Sequence, residues 1–126
     1  MAADAYLKTA AANLQQAATA VKQTADQIRA EATNFKAQAD HDITTKTSEL
    51  NVRKAELARS VGEPEKIARL TLMVRNLQKE IDDLKHQVAE RTSQAEQAAR
   101  GRESAVQGLN DQARNLQAQA SNPALQ

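Results

Sequence analysis

The chain has 126 residues, no cysteine, and 17 basic against 16 acidic side chains, for a formal charge of +1. That length fits one domain, the missing thiols exclude disulfides and thiolate metal sites, and the near-neutral balance gives no global field to recruit nucleic acid or anionic lipid. Tyr6 and Phe35 are the only aromatics while alanine and glutamine abound, a bias that suits long helices with a thin seam better than a globular core.

The opening residues Met1-Ala2-Ala3-Asp4 lack a basic region followed by an apolar core, so no secretory signal is expected. No apolar run approaches the roughly 20 residues of a bilayer span. The expected location is the cytoplasm, with leaderless export left open.

The first predicted helix covers about 4–61. Leu7, Leu14, Val21, Ile28 and Phe35 recur every seven residues, and Ala11, Ala18, Ala25, Ala32 and Ala39 follow each by four. Large residues alternating with alanine predict a closely spaced helix pair. After Ala39 the next large residue is Ile43, and Leu50, Leu57 and Val61 continue in that phase. The step through Phe35, Ala39 and Ile43 resembles a local eleven-residue repeat, which relaxes left-handed supercoiling.

A break follows at Ser60-Val61-Gly62-Glu63-Pro64. Gly62 suits a left-handed C′ position and Pro64 the first turn of a new helix. The second predicted helix covers about 64–120 and ends at Ser121-Asn122-Pro123, with a frayed tail at 121–126. Each helix would be roughly 85 Å long at ~1.5 Å per residue.

The second helix carries the strongest pattern in the chain. Ile67, Val74, Ile81 and Val88 occupy a positions, and Leu70, Leu77 and Leu84 occupy d positions. The row continues through Arg91, Ala95, Ala98, Arg102, Ala105, Leu109, Gln112 and Leu116. Arg91 and Arg102 are expected to set register, their long side chains reaching for water. Gly101 and Gly108 each cost ~1 kcal/mol of helix propensity and are expected to allow close helix approach.

The central break predicts an antiparallel hairpin whose facing residues have numbers adding to about 125. Leu109 then falls opposite Ala17 and Ala18, Leu116 opposite Ala10 and Ala11, and Leu50 beside Val74 and Leu77. Large meets small, as a filled core requires. The predicted fold is thus all-α: a two-helix coiled-coil hairpin in one domain, assembling into a four-helix bundle or a larger helical assembly. β-branched residues at a with leucine at d favour parallel dimers, which a short Gly-Glu-Pro connection cannot form within one chain. The 67–88 seam is therefore a candidate for use between chains as well.

Residues 41–94 hold 19 of the 33 charged residues and four of the 26 alanines. On the hairpin this reads as a charged distal half on an Ala/Gln stem. Within it, Leu72 takes the f position, opposite the seam, with Met73 beside it at g and Arg69, Arg75 and Lys79 around them. This cluster widens the apolar arc beyond a two-helix need. It is the candidate surface for a protein partner or a neighbouring subunit. No aromatic interleaves the basic residues for base stacking, so nucleic acid is not the expected ligand.

Asp40-His41-Asp42 would lie across the hairpin from Asp82, Asp83 and His86. The latter three point away from the first helix, unlike the inward Glu-x-x-His pairs of a metal-binding bundle. No metal is expected, and His86 is expected to bond Asp82 or Asp83. No nucleophile constellation, Gly-rich phosphate loop or cofactor fingerprint occurs, so no catalytic residue or cofactor is expected and the chain reads as a non-enzyme.

The leading functional expectation is a structural and interaction protein that self-associates as a homo-oligomer. The length and helix–turn–helix plan also resemble the small exported hairpins of the WXG family, which implies an exported substrate or adaptor. The turn Val61-Gly62-Glu63-Pro64 lacks that family's Trp before Gly, and no C-terminal Tyr-based signal occurs. A third reading is a lipid-surface or stress-protective helix. High Ala, Gln, Lys and Thr with low hydropathy resembles late-embryogenesis-type chains, which are disordered in dilute buffer, whereas the bulky 67–88 seam favours a folded coiled coil.

Overall fold

The structure, a computed structural model, describes residues 2–121; Asn122–Pro123 of the predicted stop and nearly all of the predicted tail lie outside them. Two helices, α1 (Ala2–Arg59) and α2 (Pro64–Ala120), make up almost all of this range. No strand occurs among the described residues. The fold is an all-α helical hairpin in which α1 and α2 pack against each other.

α1 ends two residues earlier than the pattern predicts. The Ser60 amide donates to Leu57 O at 3.1 Å, and its hydroxyl donates to Glu56 O at 2.7 Å. These bonds tighten the last turn and satisfy carbonyls that a continuing helix would use. Gly62 follows at φ +83°, a left-handed conformation that glycine adopts without a Cβ penalty. The Glu63 carbonyl then accepts the Ile67 amide at 2.9 Å, starting α2 with Pro64 at its first position, where a missing N–H leaves nothing unsatisfied.

Because the chain leaves the helix at Arg59, Ser60 fills the buried position and Val61 turns outward. Ser60 is fully buried, whereas Val61 is 85% exposed. Val61 therefore does not continue the α1 seam.

The hairpin consists of two compact units. Ala32–Ser93 form a turn unit; the described residues of Met1–Glu31 and Gln94–Gln126 form a terminal unit. In the turn unit Leu50, Leu77 and Ile81 make a buried cluster, with Ile43 and Val74 packed on it. Leu70 is buried to 2% exposure. Lys46 meets Glu80, and Arg91 meets Phe35, two pairs whose numbers each add to 126. The antiparallel register follows the expected pairing. Phe35, Leu57, Ile67, Leu84 and Val88 are half-buried along the same seam.

The terminal unit is packed differently. Its fully buried apolar residues are all alanines: Ala11, Ala18 and Ala25 from α1, and Ala99, Ala113 and Ala120 from α2. Leu7, Leu14, Val21 and Ile28 are only half-buried, as are Leu109 and Leu116. Alanine-lined faces let two helices approach closely and leave the larger side chains at the flanks.

On α2 the buried row departs from the predicted one. Ala95 and Ala98 are half-buried, but Arg102, Ala105 and Gln112 are exposed; Ala99, Val106, Ala113 and Ala120 occupy the inner row instead. The spacing from Ala95 to Ala99 is four where the heptad pattern implies three. Such a shift rotates the contact stripe by one position, after which the inner row resumes a seven-residue spacing from Ala99 to Ala120. Gly101 and Gly108 also depart from expectation. A Cβ on either would meet nothing within 4 Å, so neither serves helix approach within the hairpin.

Candidate interaction surface

The outer face of α2 in the turn unit is solvent-exposed along its whole length. Leu72 is 59% exposed, and Arg69, Arg75 and Lys79 around it are exposed too. Among the described residues these three cations have no ion-pair or hydrogen-bond partner. Met73 is half-buried, so it belongs as much to the edge of the seam as to the surface. The candidate cluster is therefore one exposed leucine framed by three free cations. Val52, on the exposed side of α1, is 53% exposed; a lone valine among polar residues carries no periodic signal in the sequence.

The ion pairs that do form cross between the helices or run along them. Lys46 Nζ lies 2.8 Å from Glu80 Oε2, and this bond raises the lysine pKa. Arg53 Nη1 donates to Glu56 at 2.8 Å, while its buried Nε has no partner among the described residues. In the terminal unit Arg29 Nη2 donates to Glu103 at 2.6 Å and to Glu96 at 3.1 Å. Arg100 also donates to Glu96, at 3.0 Å. Hydrogen bonds from Arg29 hold the Glu96 and Glu103 carboxyls below the usual carboxylate range, Arg100 adding to the effect at Glu96. The Glu103 and Glu96 bonds in turn raise the Arg29 pKa. Arg29 thus reads two turns of α2 at once, which fixes the axial register of this unit.

The two arginines predicted to set register in the seam differ: Arg102 stays on its own helix, whereas Arg91 crosses to Phe35 of α1. Arg102 is exposed and donates to Ala98 O on its own helix at 3.3 Å. Arg91 is exposed, with its Cζ 4.1 Å from the Phe35 ring centroid. His86 pairs with Glu90 at 3.4 Å rather than with Asp82 or Asp83. Asp82 lies at the same four-residue spacing from His86 as Glu90 does, but it accepts from Gln78 instead. No group of three or more His, Asp or Glu side chains that could hold a metal ion occurs among the described residues.

Open grooves flank the helices. One beside the turn is lined by Glu63, Pro64, Glu65, Lys66 and Arg69. Another, in the terminal unit, runs between Lys22 of α1 and Val106, Asn110 and Arg114 of α2. Apart from Pro64 and Val106, their walls are charged and amide side chains, open to solvent and without the apolar enclosure of a small-molecule site. No helix among the described residues is long and apolar enough to cross a membrane. Comparison with protein-family models, curated proteins and solved structures finds no match.

Proposed function

We propose that this chain is a non-catalytic structural protein: a helical hairpin that self-associates, with the charged turn unit contacting a neighbouring subunit or a protein partner. The alanine core of the terminal unit carries this reading. Each buried alanine removes little apolar area from water, whereas a fully buried leucine or isoleucine contributes about 1.5–3 kcal/mol. Leu7, Leu14, Val21, Ile28, Leu109 and Leu116 each leave part of that gain unrealised in a single hairpin. A second hairpin laid along these flanks would complete their burial, as in a four-helix bundle.

Thermal unfolding followed by circular dichroism tests the reading. Self-association linked to folding makes the midpoint rise with protein concentration. A midpoint that is unchanged over a hundredfold range of concentration would contradict it.

A further inference from the structure

The outer face of α2 is segregated by charge. At 100° per residue, Arg69, Leu72, Arg75, Lys79, Asp83 and Glu90 all project within roughly 60° of the Leu72 direction. All six are exposed. From Arg69 onward the basic residues come first along the helix and the acidic ones second, with Asp82 at the edge of the acidic end; Glu65, exposed on the same face, precedes them. Arg69, Arg75, Lys79 and Asp83 have no ion-pair or hydrogen-bond partner among the described residues. Asp82 accepts only an amide hydrogen bond from Gln78, and Glu90 meets only His86, at 3.4 Å.

We infer that this face docks on the same face of a second copy, antiparallel, about a two-fold axis near Lys79 and Glu80. The inference rests on the self-association proposed above and adds a contact in the turn unit, separate from the terminal-unit flanks. An isologous contact requires one patch to be complementary to itself, and an antiparallel pairing provides that here. Arg69 lies opposite Glu90 of the second copy, and Arg75 lies opposite its Asp82 and Asp83. Both pairings centre on the same point of the helix to within about one residue, or ~1.5 Å. Leu72 falls opposite His86 of the second copy, where the imidazole and its own stem exclude water from it. Lys79 lies near the axis, beside its own counterpart, and each of the two reaches the Asp82–Asp83 pair of the other copy, about three residues or ~5 Å along the helix. Three bases against three acids on each copy leave the paired surface neutral. A parallel pairing would set base against base and acid against acid, which is disfavoured.

Charge reversal on each half of the face, followed by mixing, tests this. Arg69→Glu with Arg75→Glu makes the face predominantly acidic, with Lys79 its remaining base; Asp83→Arg with Glu90→Arg makes it predominantly basic. The substituted positions are exposed and the new residues are good helix formers, so helicity by circular dichroism should match wild type. Sedimentation velocity at low salt should show self-association about tenfold weaker or more for each variant alone. An equimolar mixture should form a 1:1 complex at least as tight as the wild-type homodimer, and salt should weaken it. If wild type self-associates and both variants match it, this contact is wrong while the broader reading stands. Weakened variants that fail to pair on mixing also overturn it, and point to an acidic protein partner or another self-contact. A wild-type chain that stays monomeric overturns both.

Discussion

The Arg91 guanidinium sits over the Phe35 ring, with Cζ 4.1 Å from its centroid. This pair joins α1 to α2 within the turn unit and gives an otherwise exposed arginine a specific partner. A cation over an aromatic face at an exposed site contributes about 0.5–1 kcal/mol. Arg91→Ala should therefore lower unfolding stability by about that amount, measured by urea denaturation. In a double-mutant cycle with Phe35→Leu, the two losses should be less than additive; strict additivity would mean that the contact contributes nothing.

The two units should respond oppositely to a change of side-chain size. Leu70, 2% exposed in the turn unit, fills a large buried site. Leu70→Ala should cost about 2–4 kcal/mol through lost burial and a residual cavity. Ala25, fully buried between the helices of the terminal unit, has no room to grow. Ala25→Leu should cost about 1–3 kcal/mol by overpacking. A stabilising Ala25→Leu would show that the terminal unit is not closely packed.

Three glycines should separate cleanly by role. Gly62 holds φ +83°, so Gly62→Ala should destabilise by roughly 1 kcal/mol even though its Cβ would meet no atom. Gly101 and Gly108 are helical and open. Alanine at either should stabilise the hairpin by about 0.5–1 kcal/mol. Loss of self-association in these two variants, with stability raised, would place the glycines in an interface between copies.

The Arg29 network sets a direction for the response to pH. Glu96 and Glu103 have pKa values depressed by their bonds to Arg29. Their contribution is complete above the unfolded carboxylate pKa of about 4.3 and is lost as pH falls through the lower folded values. Lys46 has the opposite sign. Its pKa is raised by Glu80, so its contribution is present below the unfolded lysine pKa of about 10.4 and is lost as pH rises through the folded value. Wild type should keep a flat melting midpoint between these limits. Arg29→Met should remove part of the decline on the acid side, readable as a shallower fall in melting midpoint below about pH 4.3.

Much of this fold is legible in residue spacing. Ile67 to Val88 carry large aliphatics at most inward positions, and Gly62 with Pro64 marks a turn that few other residues could make. The alanine-rich part of α2 is harder to read, because Ala98 and Ala99, or Ala105 and Val106, are nearly equivalent candidates for the same layer. Only packing against α1 selects Ala99 and Val106. Val61 is not legible in this way, because hydropathy places it in the seam whereas the Ser60 hydrogen bonds end the helix before it. Leu72 stood out from the heptad pattern alone, and its exposure accords with that position. The charge segregation across Arg69–Glu90 was less visible, since it emerges only once the exposed face and the intramolecular ion pairs are known.

Self-association is the central claim, and sedimentation velocity of the wild-type chain tests it most directly. At micromolar concentrations in low salt, the account requires a helical species of at least twice the monomer mass that dissociates on dilution. A folded, helical species that remains at 13.7 kDa throughout that range would contradict it.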